Sequence, residues 1–381
     1  MDALITPLPK DWEIKTFRDI STINQGLQIP ISQRLKAPTE HAKFYITIQA
    51  LNNRKEFEYI KTYNESVVCH KDDILMTRTG NTGMVITNIE GVFHNNFFKI
   101  NFDRTLINKD FLVYFLSLEQ TQKTILKKAG TSTIPDLNHN DFYSLLIPLP
   151  PLNEQIAIAN ILSDVDRYLY NLDALILKKE SVKKALSFEL LSQRKRLKGF
   201  NQAWQKVKLG DIAEIKRGVR ITKNELDVFG KYPVVSGGVG FLGYTNNFNR
   251  YENTITIAQY GTAGYVNFQK NKFWANDVCF CIYPNKDIIK NIFLYYFLKV
   301  NQNYLYEISN RNATPYSISK DKILDFEILL PPLNEQIAIA DILSALDKEI
   351  ASLKNKKRQF ENIKKALNHD LMSAKIRVLK K

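Results

Sequence analysis

Two glycine-bearing segments carry side chains that could read the edges of nucleic-acid bases. They are TRTGNTG (77–83), with Arg78, Thr79, Asn81 and Thr82, and AQYGTAG (258–264), with Gln259, Tyr260 and Thr262. Arg, Asn and Gln make bidentate hydrogen bonds to base edges, each worth about 1–3 kcal/mol of discrimination. An earlier polar loop accompanies each segment: Gln25, Gln28, Gln33 and Arg34 for the first, Lys216, Arg217, Arg220 and Lys223 for the second. Later polar loops offer Ser132 and Thr133, and Asn312 and Thr314, to phosphate. Gly80, Gly83, Gly261 and Gly264 either let backbone approach phosphate or serve turn geometry alone. Taken singly, each of these residues reads equally well as ordinary loop polarity.

Signatures of catalysis are missing around these loops. There is no GxxxxGK[ST], no HExxH and no Cys-x-x-Cys. GVGFLG (238–243) fits a dinucleotide-binding spacing, but turn-rich YTNNFNRYEN follows where a helix would have to open onto a pyrophosphate. The five His, at 41, 70, 94, 139 and 369, are scattered and read as surface or core residues. Cys279 and Cys281 lie in VCFCIY, a buried-strand pattern, and with Cys69 they make the odd count of a reducing compartment. The double prolines are followed by Leu, not by the aromatic with which amino-methyltransferases hold a target base. A Mg²⁺ carboxylate set has no fixed spacing to find. No catalytic residue and no metal site are therefore expected on this chain.

Rigid elements must position the loops, and a long internal repeat supplies them twice. PPLNEQIAIANILS (150–163) returns 181 residues later as PPLNEQIAIADILS (331–344), and KKAL (183–186) returns as KKAL (364–367). Upstream, DWEIKTFRDISTINQG (11–26) matches AWQKVKLGDIAEIKRG (203–218), with Trp12 on Trp204 and Gly26 on Gly218. Two bodies of shared plan and different text are each followed by a nearly identical tail.

Each tail reads as a long helix. Asn153 is placed to cap it, and no Pro or Gly then appears until Gly199. Apolar residues recur at Ile158, Leu162, Val165, Leu169, Leu172 and Ile176, then at Val182, Leu186 and Leu190. The copy has Ile339, Leu343, Leu346, Ile350 and Leu353, then Phe360, Ile363, Leu367 and Leu371. That spacing predicts a coiled-coil seam, with the two helices antiparallel if the halves are related by a two-fold. A helix of some 46 residues would span ~69 Å, a reach of roughly twenty base pairs. The formal charge of +14 is concentrated here, +6 over 178–198 and +8 over 354–381. It fits a solvated helix face or a track for DNA phosphate or an acidic partner.

The bodies mix short β-rich runs, such as FYITIQAL and TITIAQYG, with one helix each, DFLVYFLSLEQTQKTILKKA or NIFLYYFLKVNQNYLYEI. The expected fold is α+β: two similar α/β domains, 1–149 and 200–330, separated by antiparallel helices, 150–199 and 331–381, in pseudo-two-fold arrangement. The longest apolar runs fall short of the ~20 residues of a membrane helix, and MDALITPLPKDWEIK is no signal peptide, so a cytoplasmic protein is expected.

Both bodies begin near W-x-x-x-x-[FL]-x-D-I, carry an [RQ]-x-G-x-x-G segment, and lead into [LI]-P-L-P-P-L-x-E-Q-x-x-I-A-x-I-L. In this the whole chain resembles the specificity subunit of type I DNA restriction-modification systems. The resemblance implies two target recognition domains, each reading half of a split, asymmetric sequence in double-stranded DNA, with the helices as spacer. It implies two modification subunits as partners, carrying S-adenosylmethionine and adenine N6-methyltransferase chemistry, and restriction subunits supplying ATP-driven, Mg-dependent translocation and cleavage. No cofactor is expected on this chain itself. At the helix openings, Asn153, Glu154 and Gln155 with Asn334, Glu335 and Gln336 either cap the helix or contact a partner subunit. One departure is that Arg78 becomes Gln259. Two other readings remain: a coiled-coil scaffold binding all duplexes alike, and an enzyme acting alone.

Overall fold

A computed structural model describes residues 8–52, 57–312 and 314–379; the expectation drawn from residues 1–7 lies outside the described residues. The chain divides into two compact units, Met1–Leu172 with Lys356–Lys381, and Asp173–Asn355. Each unit holds one body and part of both long helices.

In the first unit, β1 (Ser21–Gln25), β2 (Ile74–Thr77), β3 (Val85–Ile86) and β4 (Phe97–Phe102) form an antiparallel sheet in the order β1-β4-β2-β3. Ile23 and Ile74 both face Ile100 across the ladder. Phe98 and Ile100 pack with Phe111 and Phe115 of α1 (Lys109–Leu116), whose first turn is capped by the Asn108 side chain. A smaller sheet is built around the parallel pair Lys43–Ile46 and Gly91–Phe93, flanked by Tyr59–Ile60 and Val68–Cys69. Glu13–Thr16 pairs with Leu146–Leu149, where the chain leaves for α2 (Leu152–Leu191).

The second unit repeats this plan. The strands β5 (Ala213–Arg217), β6 (Thr254–Ala258), β7 (Val266–Gln269) and β8 (Cys279–Pro284) lie in the order β5-β8-β6-β7, with Ile215 and Ile255 facing Ile282. Here α3 (Asn291–Val300) covers the sheet, and Gln205–Lys208 pairs with Glu327–Leu330 ahead of α4 (Leu333–Met372). The smaller sheet has three strands, Phe241–Thr245, Tyr232–Val235 and Trp274–Ala275.

The single helix expected in each body is broken. Glu119–Ala129 follows α1 and Gln302–Ile308 follows α3. In the first unit Gln122 Nε2 takes the Leu116 carbonyl that a continuous helix would use; in the second, Asn301 Nδ2 adds to the bond its own backbone N–H makes to Phe297 O.

Both long helices have 40 residues, about 60 Å at 1.5 Å per residue. They end at Leu191 and Met372, not near Gly199, because Gln193 and Ala374 adopt left-handed φ of 64° and 56° and turn the chain back. Within each unit they run antiparallel. Tyr168 meets Phe360 with tilted rings, centroids 4.5 Å apart, and Lys364 pairs with Asp166 at 2.5 Å in the first; Lys179 pairs with Glu349 and Lys183 with Asp347 in the second. The seam is not continuous. Ile158 and Leu162 join the core of their own body together with Leu371, as Ile339 and Leu343 do with Leu190, while Val182 and Ile363 are exposed. No helix among the described residues is long and apolar enough to cross a membrane.

Candidate nucleic-acid interface

Two loops meet at one edge of each larger sheet. In the first unit the loop 78–84 joins β2 to β3, and its Gly80 and Gly83 have φ of 84° and 90°. A Cβ on Gly83 would lie 2.7 Å from Gln122 Oε1, so turn geometry and packing account for these glycines without a phosphate. The loop 130–137 packs on it: Leu137 N donates to Arg78 O at 2.8 Å, and Thr82 Oγ to Pro135 O at 2.7 Å. The second unit repeats the brace, with Ile318 N donating to Gln259 O at 2.9 Å and Gly261 N to Tyr316 O at 3.1 Å. Gly261 and Gly264 have φ of 75° and 91°.

Several expected base readers are used internally. Arg78 bonds Asp136 at 2.6 Å and lies over the Phe98 ring, with 18% of its side chain exposed. Arg34 donates twice to Ile29 O and once to Glu58, over the Tyr45 ring. Thr82 is buried. Arg34 and Thr82 spend their donors on neighbouring carbonyls and a carboxylate, whereas Arg78 is held by Asp136 through one nitrogen and its buried Nε has no partner. In the second unit, Arg217 Nε donates to the Asp277 carbonyl and Lys216 pairs with Glu214. Thr262 Oγ donates to Gly237 O. Thr79 and Tyr260, half-buried, form the bridges of the two braces with Asp136 and Ser317, and Gln259 is half-buried beside them.

The remaining candidates stay available. Gln25 and Gln28 flank Asn95, each 3.4 Å from it, and Gln33 and Asn81 are exposed. Ser132 and Thr133 are exposed, the Ser132 hydroxyl turned to Ile134 O. Asn312 and Thr314 are exposed, and so are Arg220 and Lys223, which have no carboxylate partner among the described residues.

Sequence reasoning missed a polar cavity of about 650 Å³ in the first unit, lined by Gln49, Asn52, His94 and Asn96 with Arg34 and Glu58 at its wall. Burial, then the Arg34 charge, holds His94 below the usual imidazole range, so it is neutral near pH 7. Its Nδ1 accepts from Asn96 N at 3.1 Å, leaving Nε2–H as a donor. Amides and a neutral imidazole around one hollow are the donors and acceptors that a base edge needs. After the equivalent strand of the second unit the chain runs Ser236–Gly240, and about 10 Å³ of space remains there. Gln49 and Asn52 lie on the short helix Ile48–Asn52, whose polar residues resemble any solvated helix face, so no sequence signal marks the cavity.

The helix openings need a larger correction. Glu154, Gln155, Glu335 and Gln336 are essentially fully buried, so they cannot contact a partner subunit. Glu154 accepts from the Trp12 indole and from Arg377, which also holds Asp11; Glu335 accepts from the Trp204 indole and from Arg196. Gln155 accepts from Asn108 N and donates to Leu106 O and Pro150 O, and Gln336 bonds Lys290 N, Ile288 O and Pro331 O in the same way. Asn153 and Asn334 sit inside the first turn and accept from the next backbone N–H, so neither is the cap. Arg196 and Arg377 were passed over in the sequence, although they too lie 181 residues apart. Much of the basic excess is likewise taken up inside each unit, Lys354 by Glu180 and Lys365 by Glu119 among others.

Known proteins share this architecture. A family described as "Type I restriction modification DNA specificity domain" matches residues 9–179 and 201–362. The type I restriction enzyme MjaVIII specificity subunit of Methanocaldococcus jannaschii is 26% identical over 97% of this chain and 94% of its own length. The putative MjaX specificity subunit of the same organism is 27% identical over 98% and 96%. A crystal structure of a type I restriction-modification S subunit from M. genitalium superposes with a TM-score of 0.67 at 21% identity, covering 97% of this chain and 99% of that one.

Proposed function

The chain belongs to the type I restriction modification DNA specificity family, and we propose that its two bodies each read one half of a bipartite, asymmetric duplex target while the paired helices set the gap. In this reading the chain performs no chemistry. It directs two modification subunits, which bring S-adenosylmethionine and adenine N6-methyltransferase activity, and restriction subunits, which bring ATP- and Mg-dependent translocation and cleavage. The observation that carries the reading is one scaffold built twice, with the same strand order and loop brace, under two different polar faces. A scaffold that binds all duplexes alike has no use for that difference.

Co-expression with a modification subunit and genome-wide mapping of methylated adenines tests it. A two-part motif with an unspecified gap is expected. Exchanging residues 200–330 for another such body should change one half only, and Asn96→Ala should relax the other half by roughly 1–3 kcal/mol of discrimination. Methylation without a two-part motif, or a 200–330 exchange that alters both halves, defeats the proposal.

A further inference from the structure

The second unit presents two apolar side chains almost wholly to solvent: Val228 is 90% and Phe229 94% exposed. They occupy the centre of a rigid turn. Gly230 N donates to Asp227 O at 3.0 Å, the Asp227 carboxylate accepts from Phe229 N and from Asn246 Nδ2, and Asp227 N donates to Tyr244 O at 2.8 Å. A Cβ on Gly230 would lie 2.4 Å from Thr245 N, so the turn is pressed against the strand behind it. Large apolar groups held out so firmly mark a contact with a macromolecule.

Charge decides which kind. In the segment 218–231 the cations Arg220, Lys223 and Lys231 have no carboxylate partner among the described residues. Both acids of the segment are used locally: Asp227 as above, and Glu225 by Thr222 N and Oγ at 2.8 and 2.7 Å. Their partners are neutral amides and a hydroxyl, so the segment keeps three cations against two carboxylates, a net +1 beside the apolar tip, and that excess in a chain of net +14 fits phosphates flanking a base step.

We propose that Phe229, supported by Val228, is an apolar wedge that contacts the base stack of the half-site read by the second body, with Arg220, Lys223 and Lys231 on the neighbouring phosphates. This deepens the specificity reading and rests on it. The first unit has the polar cavity instead, so the two bodies would read by different means.

The test uses the full chain assembled with its modification subunit. The wild-type complex first selects duplexes from a random library; failure to select a two-part sequence would defeat the specificity reading itself. On a selected duplex, Phe229→Ala should bind about tenfold more weakly, the size of a lost aromatic–base contact, with its salt dependence unchanged. Lys223→Ala should instead lower the salt slope by about 1. 2-Aminopurine placed along the half-site should brighten at one step with wild type and not with Phe229→Ala, and Phe229→Trp should show quenched emission on binding. Unchanged affinity and unchanged 2-aminopurine signal in Phe229→Ala overturn the wedge. Loss of the modification subunit from purified Phe229→Ala, with DNA binding kept, makes the turn a protein contact and overturns it equally.

Discussion

The two units share their supports and differ in what they display. Both have the 1-4-2-3 sheet order with isoleucines at matching rungs, a two-loop brace and a buried carboxylate at the helix opening. Their faces diverge: a hollow lined by amides and an imidazole in one, a firm apolar turn beside cations without carboxylate partners among the described residues in the other. Similar backbones thus carry different ligand chemistry, because loop side chains beyond the brace bear little of the packing.

Even the supports are not identical, and the largest expected effect comes from one inequality. Arg377 is held by two carboxylates, Glu154 and Asp11, whereas Glu335 is the one carboxylate on Arg196 among the described residues, since Ala203 stands where the first body has Asp11. Removing one partner of a buried pair costs about 3 kcal/mol. Glu335→Gln should lose roughly that much, and Glu154→Gln about half, because Arg377 keeps Asp11. Urea unfolding followed by Trp12 or Trp204 fluorescence in single-tryptophan backgrounds measures each unit separately. Equal losses would mean that Asp11 does not share the load.

A second pair of sites should behave alike. Tyr114 donates to Asp166 and Tyr296 to Asp347, and each carboxylate also meets a lysine of the other long helix, Lys364 or Lys183. Tyr114→Phe and Tyr296→Phe should each cost about 1 kcal/mol, the net worth of the hydrogen bond to the carboxylate, because the added contact of Tyr296 with Ser344 is long at 3.3 Å. A clear difference between them would show that the triads are not equivalent supports.

The sequence made the repeated scaffold legible because identical supports demand similar residues at fixed offsets: Trp12 with Trp204, Glu154 with Glu335, Ile158 with Ile339. It left the roles of those residues hidden. A Glu three residues past a double proline looks like a helix-opening residue on the surface, and only the fold reveals an indole and a guanidinium closing over it. Arg78 and Arg34 hide their internal contacts in the same way: arginine reads as a base reader, while the fork here closes on a neighbouring carboxylate or carbonyl. The cavity around His94 is assembled from residues 34 to 96, and no local pattern records that meeting.

The smallest effect concerns acid. Glu119 binds Lys123 on its own short helix and Lys365 on α4, each at 2.8 Å; the second unit has Asn301 at this point. Hydrogen bonds from Lys123 and then Lys365 bring the Glu119 pKa down to about 2 from its ordinary 4.5. A carboxylate whose pKa is lowered on folding stabilises the fold fully above the unfolded value, and that contribution fades as pH falls from 4.5 towards about 2. The first unit should therefore loosen in this window in a way that the second does not, by a modest amount because the group is exposed and screened. Hydrogen exchange in residues 119–129 and 356–372 at pH 5 and pH 3 reads it directly. Glu119→Gln should flatten the pH response of these segments and leave residues 302–308 unchanged; the same pH response in wild type and Glu119→Gln would assign the acid sensitivity to other groups.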